Sequence, residues 1–173
     1  MRRICVLLAV IVIAVTAHVH SQTPPRSEDI IVIDGGKSPE LIPQWHAWGY
    51  VFRVIAGGPR ELPTSVLLVV SKDEEKLVKV EADAVQKSDA ACAERSIKTY
   101  GLLKQGESVK SVDVKMHAIT LECRWKTLHA RDRILEALNP EARIALIKFV
   151  EDSKHGMTIK VPKNGFARYL EPQ

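Results

Sequence analysis

CAERSIKTYGLLKQGESVKSVDVKMHAITLEC, residues 92 to 123, holds two helical patterns separated by the break Gln105-Gly106-Glu107-Ser108. Cys92 and Cys123 lie equally far from that break, with their midpoint at position 107.5. Residues equidistant from the turn of an antiparallel helical hairpin lie opposite each other. The spacing therefore predicts two thiols facing across a hairpin, placed for a disulfide.

Upstream of the break, Ser71-Lys72-Asp73-Glu74 is a capping box that opens a helix running to about Leu103. Val78, Val85, Cys92 and Thr99 recur on it every seven residues, with Ala82 and Leu103 beside them, so the cysteine sits on an inward stripe. Ala84, Ala90, Ala91 and Ala93 are small enough for a partner helix to come close. Downstream, a helix over about 109–138 carries Val109, Val112, Met116, Ile119, Cys123, Thr127, Ala130 and Ile134 at steps of three and four. A second stripe of Leu121, Trp125, Leu128 and Leu135 widens its apolar face, which predicts packing against two neighbours.

Working outward, Ser38-Pro39-Glu40 offers a helix start, and Pro43 permits another one turn later. The helix that follows, about 43–56, carries Trp45, Trp48, Tyr50, Val51, Phe52, Val54 and Ile55. Apolar side chains in nearly every direction mark a central helix, and Gly57-Gly58-Pro59 ends it. Thr64 is expected to cap a short apolar turn through Leu67, Leu68 and Val70. Asn139 caps, and Pro140 begins, a last helix over about 140–155. Ile30 to Ile33 form a β-branched run stopped by Asp34-Gly35-Gly36, and residues 157–161 alternate apolar with polar. The fold expected is all-α: a helical bundle on a long antiparallel hairpin (about 72–103 and 109–138), with the central aromatic helix, the C-terminal helix and a minor extended pair, 30–33 with 157–161. Phe166, Tyr169 and Leu170 are expected to dock the tail on the bundle.

Arg2 and Arg3 precede an apolar run from Ile4 to Thr16, too short for a comfortable membrane span but suited to a signal peptide. Residues 1–21 are read as that signal, cleaved after Ala17 or Ser21. Residues 22–29, with their Pro pair, are a flexible lead-in, and 30–173 form one helical domain. The protein is thus expected to be exported, periplasmic or extracellular, with no stable membrane span after cleavage. Cys5 leaves with the signal. Cys92 and Cys123 then reach a compartment where a disulfide persists. Losing Arg2 and Arg3 from 25 basic residues leaves 23 against 21 acidic ones, interspersed along the chain. That pattern lacks the basic footprint nucleic-acid binding requires.

Chemistry-bearing motifs are sparse. Neither cysteine has a second one at C-x-x-C spacing or a histidine close by, which argues against zinc or thiol redox motifs. Asp113 with His117, and His129 with Asp132, are helix-spaced pairs, two ligands each where a dedicated metal site needs three or four. No G-x-S-x-G elbow or Gly-rich phosphate loop occurs. No catalytic residue, metal or cofactor is expected. His46, Tyr50 and Arg53 fall at i, i+4 and i+7 on the aromatic helix and share a face. Together they offer a titratable ring, a phenol and an anion-binding fork. That face is either the lining of a binding cleft or the solvated strip of a helix buried on its other sides. The function expected is a non-enzymatic binding module for an unknown protein or a small apolar ligand; the alternative is a metal-binding or small-ligand protein, or an enzyme, using the His46, Tyr50 and Arg53 face.

Asp34-Gly35, Pro39-Glu40-Leu41-Ile42-Pro43, Phe52-Arg53 and Leu138-Asn139-Pro140-Glu141-Ala142 together resemble a set of short exported bacterial proteins of uncharacterised function. The late patch is also similar to the helix starts of periplasmic stress-chaperone hairpins, without their repeated Leu-Thr-x-x-Gln pattern. Neither resemblance implies catalytic residues.

Overall fold

The computed structural model describes residues 30–57 and 62–170. The expected signal (1–21), the lead-in (22–29) and the Gly58-Pro59 part of the helix stop lie outside the described residues, as do the side chains of Phe166 and Leu170.

Helix α1 (Gln44–Gly57) starts at the second of the two expected positions. The first becomes a separate 3-10 turn, Pro39–Leu41, in which Ser38 makes no side-chain cap bond. The carbonyl of Pro43 accepts from the N–H groups of His46 and Ala47 and so opens α1. Short helix α2 (Thr64–Leu67) is preceded by Pro63 at the cap position, so Thr64 is its first helical residue rather than its cap. Proline there presents an extended backbone and needs no N–H of its own.

Helices α3 (Lys72–Gly101) and α4 (Val109–Ala137) form the antiparallel hairpin. Cross-links between them show the direction: Glu81 to Arg133, Cys92 to Cys123 and Arg95 to Glu122, with numbers rising on α3 as they fall on α4. Cys92 and Cys123 are joined in a disulfide, their Cα atoms 6.5 Å apart. At the turn, a 3-10 segment Leu102–Gln105 is closed by Gly106 at φ 88°, a left-handed conformation that favours glycine. Ser108 caps α4, its Oγ accepting from the Ser111 N–H at 3.2 Å.

The inward stripe of α3 is Val78, Ala82, Val85 and Cys92. The other alanines, 84, 90, 91 and 93, are exposed, so the small-residue approach occurs at Ala82 and not along that series. On α4, Val112, Ile119, Thr127, Leu128, Ala130 and Ile134 are buried as their spacing predicts. Val109 (60% exposed) and Trp125 (47% exposed) are not. Val109 lies in the first turn of α4, beside the hairpin tip, and Trp125 pairs with His129 on the outer face. The flank of α4 that turns inward instead carries Arg124.

Helix α5 (Pro140–Lys154) begins with the Asn139 cap. α1 packs against α3, α4 and α5, which makes it the centre of the bundle. Its Trp48, Val51, Phe52 and Ile55 are fully enclosed with Val78, Ile134, Leu146 and Val150. β1 (Ile30–Asp34) and β2 (Thr158–Pro162) pair antiparallel, Ile33 opposite Ile159 and Ile31 opposite Val161, as the alternating pattern of β2 predicts. Gly35 follows β1 against the end of α5: a Cβ there would lie 1.8 Å from the Lys154 carbonyl oxygen. The described residues end in a 3-10 turn, Lys163–Gly165, and helix α6 (Phe166–Leu170). No described helix is long and apolar enough to cross a membrane.

Candidate functional site

One flank of α1 does not close against its neighbours. Between α1, α3 and α4, with Tyr169 of α6 at one end, lies a cleft of about 370 Å³. Trp45, His46, Gly49 and Arg53 enter it from α1, at the i, i+1, i+4 and i+8 positions that share a helix face. Asp89, Cys92, Ala93 and Ser96 form the α3 wall, and Ile119, Thr120, Cys123, Arg124 and Thr127 the α4 wall. The disulfide is therefore part of the lining as well as a brace for the hairpin.

Arg124 organises the Tyr169 end. Its guanidinium carbon sits 4.2 Å from the Trp45 ring centroid and 5.8 Å from that of Tyr169, distances at which the negative face of a ring attracts a cation. Its Nη1 donates to the Arg168 carbonyl, which ties α6 to α4. Trp45 and Tyr169 meet edge to face at 5.2 Å, and Trp45 Nε1 donates to the Tyr169 carbonyl at 3.3 Å. Only 8% of Arg124 is exposed. An arginine on an apolar helix face gives no sequence signal of burial unless its aromatic partners are known, and these come from α1 and α6.

The three residues expected to share a face part company. His46 is half-buried against Trp45 and Tyr169, with ring centroids 5.3 and 6.1 Å away. Arg53 lines the cleft but is exposed. Tyr50 is 45% exposed and does not line it. The residues that join His46 and Arg53 come from α3, α4 and α6, and could not be assigned from periodicity within α1.

Burial, with the Arg53 and Arg124 charges, pulls the His46 imidazole down to about 4, so it is neutral at neutral pH. Burial raises the Tyr169 phenol, partly opposed by Arg124, and raises the Asp89 carboxyl, partly opposed by Arg53. The threonine hydroxyls are committed to backbone: Thr120 Oγ1 donates to the Met116 carbonyl at 2.9 Å and Thr127 Oγ1 to that of Cys123 at 3.3 Å.

The helix-spaced acid–histidine pairs do not converge on a site. Asp113 accepts from Arg168 at 2.7 Å and Asp132 from Arg131 at 2.8 Å. Among the described residues no group of three or more His, Cys, Asp or Glu side chains is arranged to hold a metal ion. Fold and site together define an all-α bundle with a disulfide-walled, partly cationic cleft. No family model, curated protein or solved structure matches the chain.

Proposed function

We propose that this is an exported, non-enzymatic binding protein that takes a small, largely apolar ligand in the cleft between α1, α3 and α4. The observation that carries the reading is Gly49. It lies in the interior of α1, where glycine costs about 1 kcal/mol relative to alanine. No neighbour demands it: an alanine Cβ there would meet only Thr127 Cγ2, at an ordinary 3.8 Å. What its missing side chain leaves open is the floor of the cleft.

Two further features support binding over catalysis. Pockets for small molecules are mostly apolar with a few convergent polar groups, and span about 300 to 1,000 Å³, a range into which this 370 Å³ cleft falls. A general base works best with a pKa near the working pH, and His46 is far below it. The cations beside His46 also oppose a metal ion there, which weighs against the metal-binding alternative. Export is supported by the signal-like first 21 residues and by the disulfide, a bond that persists in oxidising compartments.

Thermal-shift and calorimetric screening of small aromatic and aliphatic compounds tests the reading. Binders should lose affinity in Gly49→Val and in Ala93→Leu, which fill the cleft from opposite walls. Gly49→Ala serves as the folding control and should raise stability. Binding that survives both filling variants in folded protein would place the ligand elsewhere and end this proposal.

A further inference from the structure

The cleft's charges define the ligand more closely, in an inference that rests on the binding function proposed above. We infer that the cleft takes an apolar monocarboxylate, whose acid group is gripped by Arg53 at the mouth while its body lies along Trp45, Ile119 and the Cys92–Cys123 disulfide.

Four ionisable side chains from three helices face this space besides Tyr169: His46 and Arg53 from α1, Asp89 from α3 and Arg124 from α4. With His46 neutral, the cationic groups facing this space are the guanidinium groups of Arg53 and Arg124. The two arginines are not equivalent. Arg124 is buried, stacked on Trp45 and bonded to the Arg168 carbonyl, and acts as a fixed positive charge in the wall. Arg53 is exposed and forms no salt bridge or hydrogen bond with the described side chains, and its charge acts on Asp89 across the cleft through space. Its planar fork of donors is thus available, and it matches a carboxylate in bidentate geometry. The remaining lining determines what the rest of the ligand must be. Thr120 and Thr127 spend their hydroxyl protons on backbone carbonyls, and Trp45 spends its indole N–H on Tyr169. Against those three groups the acceptors of a polar ligand body would go unmatched, at a desolvation cost that an apolar body avoids. Besides Arg53, the donors left in the lining include Ser96 and, at the α6 end, the buried Tyr169 hydroxyl, which is unpartnered among the described residues.

The acid, 2-naphthoate, should be titrated calorimetrically into the disulfide-intact protein beside its neutral and cationic analogues 2-naphthalenemethanol and 2-naphthylmethylamine, with octanoate as an aliphatic acid. One or both acids should bind more tightly than the alcohol, and the amine least. Arg53→Gln should weaken acid binding about tenfold or more while leaving the alcohol unchanged. Asp89→Asn should tighten acid binding several-fold, a change of opposite sign that damage to the fold would not produce. If all naphthyl compounds bind alike and neither variant discriminates, the anion inference is overturned and cleft binding stands. If none of the four binds and compounds found in the wider screen ignore the filled cleft, the binding function falls with it.

Discussion

One carboxylate, that of Glu74, serves the caps of two helices, because Asn139, 65 residues further along the chain, donates to it from both its backbone N–H and its side-chain amide. The same carboxylate accepts from the Ser71 N–H at 2.7 Å in the capping box of α3. Asn139 in turn caps α5, accepting from the Ala142 N–H at 2.9 Å, and its amide also reaches the Val69 carbonyl. The starts of α3 and α5 are thereby locked to each other. Asn139→Ala should cost about 1 kcal/mol or more from the lost cap alone. In chemical denaturation of Glu74→Ala, Asn139→Ala and the double variant, the double should cost less than the two singles added, because each single already breaks the shared bonds. Strict additivity would show that the two caps act independently.

Glu74 also links stability to acid. Hydrogen bonds from the Ser71 and Asn139 backbone N–H groups hold its pKa down at about 2. The folded state then favours the carboxylate more than the unfolded chain does. Its contribution is complete above the ordinary glutamate value near 4.5 and fades as pH falls from there toward 2. Glu74→Gln should remove that part of the acid dependence, read as denaturation midpoints at pH 5, 4 and 3.

His46 acts in a higher window. Its folded pKa of about 4 lies below the ordinary 6.5, so the unfolded chain takes up a proton that the folded one refuses. Stability is therefore lost as pH drops from about 6.5 toward 4. The groups lining the same cleft are Arg53, Asp89, Arg124 and Tyr169, and the two arginines reinforce the effect of burial. NMR titration of the imidazole should give a midpoint near 4, and His46→Gln should flatten the stability profile between pH 6.5 and 5. A midpoint at the ordinary histidine value would mean that the cleft is open to water around the ring.

The disulfide closes a sequence separation of 31 residues, worth roughly 3.5 kcal/mol in the chain-entropy model. Replacing both cysteines by serine should cost about 2 to 5 kcal/mol and lower the melting temperature, with helical circular dichroism unchanged in the cold. Intact mass with and without reductant before alkylation tests the bond itself. Both thiols alkylating in unreduced protein would show that it does not form.

Gly35→Ala should be among the most damaging single-atom additions in the chain. Its Cβ would stand 1.8 Å from one backbone atom of Lys154 and 2.9 Å from another, and backbone cannot swing aside as a side chain does. Overpacking costs typically about 1 to 3 kcal/mol, and urea midpoints should place this variant at the upper end or beyond. Gly36→Ala, whose Cβ would meet the Asp34 side chain at 3.3 Å, should be milder.

Local signals alone determined much of this protein. The Ser71 capping box, the Asn139-Pro140 start, Gly106 at the turn and the mirrored cysteines are each read within a few residues or from simple antiparallel symmetry, and each stands where it was expected. Helix rotation was less legible: three- and four-residue spacing names a stripe without saying which flank of it turns inward. On α4 the structure buried Arg124 and left Trp125 out, because an arginine can stay charged in the interior once an aromatic face and a backbone carbonyl receive it. The cleft belongs wholly to tertiary structure. His46 and Arg53 share a face by periodicity, but Asp89, Arg124 and Tyr169 reach them only after three other helices have packed, and no spacing along the chain encodes that meeting.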